Sequence, residues 1–189
     1  KVEIIDWEKL KKRTSIVGYP ILPLVEQLSE KVEGNFGQFC HWGATTQDIM
    51  DTADVLQIRK GLELLSKDLK SISDALEKIV EYHIKTPMAG RTHLQHALPI
   101  SFGYKASTWL SGIDRHHKRL EEIKKRIFNV SFFGAAGTLA SLGEHDGLKT
   151  QSTLAEELDL KVPDVSWHSI RDNYCEVTGW LAMVAASLG

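Results

Sequence analysis

The stretch "VLQIRKGLELLSKDLKSISDALEKI", residues 55–79, places apolar side chains at Val55, Ile58, Leu62, Leu65, Leu69, Ile72, Leu76 and Ile79. Steps of three and four residues return a side chain to the same helix face, so this is the seam of a helix packed along its whole length. The pattern stops at Thr86-Pro87, where proline pushes its predecessor out of the α region. One helix of about 40 residues, roughly 60 Å long, is therefore expected. A second seam runs through Phe102, Ala106, Trp109, Ile113, His116, Leu120, Ile123 and Ile127, with His116 its one polar interruption. A third runs through Ile170, Tyr174, Val177, Leu181, Val184 and Leu188. Shorter helices are expected over 6–15, 22–32 and 147–158. No span alternates with period two for long enough to call for a strand. The fold class is all-α, a long-helix bundle. Rods of this length need partners equally long, from this chain or from other subunits, so an oligomer is expected.

Composition narrows the function classes. The chain has 189 residues, 42% apolar and 25% charged, with a formal net charge of −2. That balance argues against nucleic acid as a partner, since phosphate-binding surfaces carry a basic excess. No apolar run approaches the roughly 20 residues that span a bilayer, so no membrane partner is expected. Cys40 and Cys175 are too few for a disulfide framework and suit a reducing, cytoplasmic setting. No signal peptide is visible, and the chain opens at Lys1 without a methionine, so its natural start is expected upstream.

Three polar, glycine-bearing stretches separate the helices, where binding residues are often found. Following the first seam backwards from Val55 reaches Asp51 and then Asp48, in "HWGATTQDIMDT" (41–52), so both carboxylates should face inward. Thr45 or Thr46 as N-cap and Asp48 in the first turn fit an ordinary helix start. Capping leaves a spare threonine and an inward Asp51, and the alternative is a helix N-terminus that binds a carboxylate or phosphate. In "AGRTHLQHALPISFG" (89–103), Arg91, Thr92, His93, Gln95 and His96 cluster ahead of Pro99. Histidine suits proton transfer near neutral pH, and Arg91, Thr92 and Gln95 supply donors for substrate oxygens. His93 and His96 lack a third ligand of convincing spacing, so no metal is expected. "FFGAAGTLASLG" (132–143) has neither Walker nor dinucleotide spacing. In "SWHSIRDNY" (166–174), Ser169 is a plausible cap that would put Arg171 and Asp172 in a first turn. An arginine there gains nothing from the helix dipole, which points to a ligand or ion-pair role. His83 continues the first seam and is expected as a satisfied core histidine.

"GATTQDIMDTA", "AGRTHLQHALPISFG", "FFGAAGTLASLG" and "WHSIRDNY", in this order and joined by long helices, resemble the fumarase/aspartase superfamily. Within it the likeness is to the branch of adenylosuccinate lyase and 3-carboxy-cis,cis-muconate cycloisomerase. The resemblance implies a homotetramer with a central long-helix bundle and active sites shared between subunits. It implies substrate binding by Thr45, Thr46, Asp48, Thr92, Gln95 and Arg171, beside the donor Arg91 read from its residue type, and proton transfer by His93. The substrate implied is a small polycarboxylate, fumarate-like or muconate-like, and no cofactor is required. His93 stands where bacterial cycloisomerases often carry tryptophan and elimination lyases carry histidine. That brings forward an adenylosuccinate-type C–N elimination as the alternative to lactone formation. A non-catalytic helical scaffold is the reading from another class, although a scaffold has no need of these polar loops. The superfamily's Gly-Ser-Ser-x-Met-Pro-x-Lys-x-Asn loop, with its serine base, does not occur before Gly189. The expectation is therefore a truncated chain, inactive alone: 1–33 the remainder of an N-terminal helical domain, and 34–189 a central bundle domain ending before that loop.

Overall fold

In the computed structural model, which describes residues 5–143 and 145–189, six α-helices and one β-hairpin carry the chain. In chain order they are α1 (Trp7–Val17), α2 (Ile21–Lys31), α3 (Thr46–Tyr82), β1 (Pro87–Thr92), β2 (Gln95–Ser101), α4 (Phe102–Ile127), α5 (Asp146–Leu158) and α6 (Asp172–Leu188). Short 3₁₀ turns cover Phe36–Phe39 and Ala140–Leu142. The chain divides into two compact units, each discontinuous in sequence: residues up to Gln57 with Phe128–Arg171, and Ile58–Ile127 with Asp172–Gly189. The boundary expected near residue 33 falls inside the first unit. No described helix is long and apolar enough to cross a membrane.

In the first unit, α1 starts on Asp6, whose side chain accepts from Lys9 N at 2.9 Å. Buried Gln27 joins α2 to that start, accepting from Asp6 N (2.8 Å) and donating to Asp6 O (3.1 Å). Val130, Phe132, Leu139 and Ala155 form the core, with Ala44, Leu142, Leu154 and Leu160 packed around them. Buried Gln151, on α5, donates to Phe132 O at 2.8 Å, so the extended segment after α4 is held from the helix side.

In the second unit the seams emerge as buried stripes. Leu62 and Leu69 of α3 are buried, as are Ala106, Ile113, His116, Leu120, Ile123 and Ile127 of α4; Trp109 is exposed. The third seam differs from its expectation. Val177, Trp180 and Val184 are the buried residues of α6, whereas Ile170, Leu181 and Leu188 are exposed. Helix α6 begins at Asp172, which leaves Ile170 and the expected cap Ser169 in the preceding loop. The 177-180-184 spacing then turns the large indole inward, where Trp180 Nε1 donates to His116 O at 3.0 Å.

Helix α3 runs 37 residues and stops at Tyr82. His83 is half-buried and satisfied, its Nδ1 3.0 Å from Thr86 Oγ1. Gly103, at the start of α4, closes the corner: a Cβ there would lie 2.7 Å from Val80 O, so only glycine permits the approach.

The hairpin corrects the expectation of no strand. β1 and β2 are antiparallel, pairing Pro87 with Ser101, Arg91 with His96 and Thr92 with Gln95. His93 (φ +44°) and Leu94 (φ +64°) form the two-residue turn, both left-handed as a type I′ turn requires. Asparagine and glycine usually mark such a turn, and neither is present. Pro99 inside β2 also argues against a strand; it is tolerated because a two-stranded sheet has only edges.

Candidate active site

The inward direction read for the two aspartates is what the first unit shows. Asp48 is 0% exposed and Asp51 4%. Asp48, in the first turn of α3, receives five donors. Its Oδ2 accepts from Thr45 N (3.0 Å) and Gly134 N (2.9 Å). Its Oδ1 accepts from Phe133 N (3.1 Å), Ser131 Oγ (3.3 Å) and His168 Nε2 (2.6 Å). Thr45 N reaching the acid three residues on is one half of a capping box. A wholly buried carboxylate is costly unless its lone pairs are filled, and here they are. Gly134 (φ +72°) can meet it because its backbone lies so close to the 41–46 loop that a Cβ would sit 3.0 Å from Gly43 O.

One turn on, Asp51 takes a two-pronged contact from Arg171, Nη1 to Oδ2 at 2.7 Å and Nη2 to Oδ1 at 2.8 Å. The guanidinium lies over the Trp167 ring, 5.3 Å from its centroid, and Trp167 Nε1 donates to Val130 O at 3.0 Å. Gln47 Nε2 bridges the same elements, donating to His168 O (2.8 Å) and Asp51 Oδ2 (3.2 Å). Thr52 Oγ1 donates to Ser131 O and accepts from Ser131 N, both at 2.9 Å. Three polar loops, 41–46, 131–134 and 166–171, are thus laced onto the first two turns of α3.

This geometry revises two expected roles. The sequence places Asp48 among substrate-binding residues, but its carboxylate is sealed from solvent and filled by protein donors. Arg171, placed there too, lies ahead of α6 and spends its fork on Asp51, with 41% of its side chain exposed. Thr45 and Thr46 are half-buried at the mouth of α3, and among the described residues neither hydroxyl engages a protein group. Arg91, Thr92, His93 and Gln95 belong to the second unit, all exposed on the hairpin around its turn.

Three contributors escaped the sequence reading. Gln47 looks like any exposed helix polar residue. His168 carries no local signal beyond its place in "WHSIRD". His41 sits half-buried in a left-handed conformation (φ +67°); burial pushes its imidazole below the ordinary value, against the raising effect of the Asp48 charge. Among the described residues no three His, Cys, Asp or Glu side chains converge as a metal site would require.

A family model described as lyase matches residues 10–189. Trans-aconitate decarboxylase 1 of Mycosarcoma maydis is 44% identical over 188 residues, covering 100% of this chain and 38% of that protein. The 3-carboxy-cis,cis-muconate cycloisomerase of Pseudomonas aeruginosa is 41% identical over 192 residues, covering 100% of this chain and 42% of that protein. The crystal structure of a fumarate lyase from Mesorhizobium sp. BNC1 superposes with a TM-score of 0.93 at 59% identity, over 97% of this chain and 43% of that one. The chain spans about two fifths of the length of each.

Proposed function

The chain belongs to the fumarase/aspartase superfamily of lyases, and from that premise we propose that it forms part of an enzyme acting on a small unsaturated polycarboxylate. The reaction is addition or elimination across a carbon–carbon bond beside a carboxylate, most like that of 3-carboxy-cis,cis-muconate cycloisomerase. One observation carries the reading. Both acidic residues in the opening turns of α3 are consumed within the protein, Asp48 by five donors and Asp51 by Arg171. The helix N-terminus therefore presents its dipole and the Thr45 and Thr46 hydroxyls without presenting a free negative charge.

The chemistry follows from that environment. Adding a substrate carboxylate across the double bond forms a C–O bond and moves the π electrons onto the carbon beside another carboxylate. Fixed donors around that group lower the barrier by spreading the charge. An acid then protonates the carbon; in the reverse direction a base removes that proton. His93, exposed at the hairpin turn, is the proton-transfer residue in this reading, with Arg91, Thr92 and Gln95 as donors to substrate oxygens. The assembly is a homotetramer with active sites shared between subunits. The alternative, an adenylosuccinate-type C–N elimination, is favoured by histidine rather than tryptophan at position 93. Offering the protein that carries this chain 3-carboxymuconate and adenylosuccinate, and following absorbance, decides between them. Turnover of the first alone supports the cycloisomerase reading, of the second alone the elimination, and turnover of neither sinks both.

A further inference from the structure

We propose that His168 is a positioning residue for the anion-binding start of α3, acting through Asp48; its link to a bound substrate rests on the function proposed above. Four of the five donors to Asp48 are three backbone amides and one serine hydroxyl, the latter the longest contact at 3.3 Å. The fifth, His168 Nε2, makes the shortest contact, 2.6 Å. It is also the one ring donor to a carboxylate whose side chain has 0% exposure. The same carboxylate grips Thr45 N and Gly134 N through its other oxygen. Whatever fixes Oδ1 therefore fixes the angle at which Oδ2 holds the residue in front of α3.

The histidine itself is held on several sides. Its ring meets Phe133 edge-on, with centroids 5.4 Å apart and planes at 87°. Its carbonyl accepts from Gln47 Nε2 at 2.8 Å, and Gln47 belongs to the same helix turn as Asp48. Phe133, in turn, donates its own N–H to Asp48. The circuit His168–Asp48–Phe133 thus closes on itself, and Thr45 joins it at Asp48, its N–H donating to Oδ2 and its carbonyl accepting from Asp48 N at 3.1 Å. Loosening His168 frees the carboxylate to rotate toward its remaining donors, and the Thr45 backbone rotates with it. Two hydroxyls that must meet a substrate carboxylate together are then no longer held in one arrangement.

His168→Ala and His168→Gln separate this role from simple support. Glutamine's amide can reproduce an Nε2–H donor to Oδ1; alanine cannot. Amide hydrogen exchange is read at Thr45, Phe133 and Gly134, with the buried amides of α4 as internal reference. The expected result is at least a tenfold rise at those three amides in His168→Ala, no change in α4, and recovery in His168→Gln. In an active protein the alanine variant raises KM for the polycarboxylate about tenfold or more with a smaller change in kcat, and glutamine restores it. Unchanged exchange at the three amides overturns the proposal, whatever the activity. A uniform rise that includes α4 also overturns it, because the histidine is then general support. Loosened amides with unaltered KM in an active enzyme overturn the link to substrate. Loosened amides in a wild-type background that turns over neither compound leave the positioning role standing and remove the proposed function instead.

Discussion

Replacing Asp48 by asparagine changes one atom in shape and reverses one hydrogen-bonding role, which makes it the sharpest probe of the buried hub. An amide offers one acceptor oxygen and one NH2 donor. With its oxygen at the Oδ1 position, the NH2 faces Thr45 N–H and Gly134 N–H; with the amide flipped, it faces Phe133 N–H, the Ser131 hydroxyl and the imidazole. The first orientation is the milder, because only two donors lose their acceptor. Each buried donor left unpaired costs about 1–3 kcal/mol. Burying a neutral amide in place of a charge returns part of this. The net expectation is a loss of about 3 kcal/mol, equivalent to about 6–12 °C in a chain of this size. Urea unfolding measures it as a lower midpoint at unchanged slope. A loss below about 1 kcal/mol would refute the reasoning, since it would mean that the five contacts do not act as satisfied buried bonds.

Arg171→Met and Asp51→Asn, singly and together, should show a coupling of about 1 kcal/mol in a double-mutant cycle read by urea midpoint, reduced from the buried-pair range because the arginine is half exposed. For His116, burial first and then Arg119, Arg115 and His117 hold the imidazole below its ordinary value of 6.5. The unfolded chain therefore binds a proton that the native state refuses: stability from this group is complete above about pH 6.5 and declines as pH falls below it. Thermal midpoints from pH 8 to pH 5 should show that decline, and His116→Gln should flatten it. Leu94→Gly should raise the midpoint by an amount corresponding to about 1 kcal/mol, because Leu94 is 90% exposed at φ +64° and loses strain without losing packing. A fall in midpoint would show that its side chain is held by a contact.

The parts of the fold that were legible in the sequence are those written as periodicity. The seams of α3 and α4 run over many turns, so a single odd residue such as His116 or Trp109 does not hide the face. Extending the α3 seam backwards even gave the direction of Asp48 and Asp51. The α6 seam failed because its helix is apolar all round: Leu181 and Trp180 are neighbours, and only the start at Asp172 decides which points inward. The hairpin failed for a different reason. A type I′ turn built from His93 and Leu94 lacks the asparagine and glycine that mark such turns, so no local rule points to it. His168 was invisible because its partner is 120 residues away. Spacing can place Asp48 in a helix turn but cannot say which loop will reach it.

That same distance explains why two expected roles shifted. A sequence motif counts acidic and basic residues without stating which charges remain free after folding. At the start of α3 two aspartates, an arginine and a histidine look like a highly charged pocket; the fold pairs Arg171 with Asp51 and His168 with Asp48. What is left unpaired there is small and neutral: two threonine hydroxyls at a helix N-terminus. A carboxylate ligand meets donors rather than a competing anion in that setting. Charge-conserving changes within either pair should therefore disturb binding by moving the threonines, and a Thr45→Val, Thr46→Val double substitution should remove affinity while leaving both pairs and the unfolding midpoint in place. Equilibrium binding of fumarate, compared with the urea midpoint of the same variant, checks this directly: equal affinity in the double variant and the wild type would mean that the hydroxyls are not what the frame exists to hold.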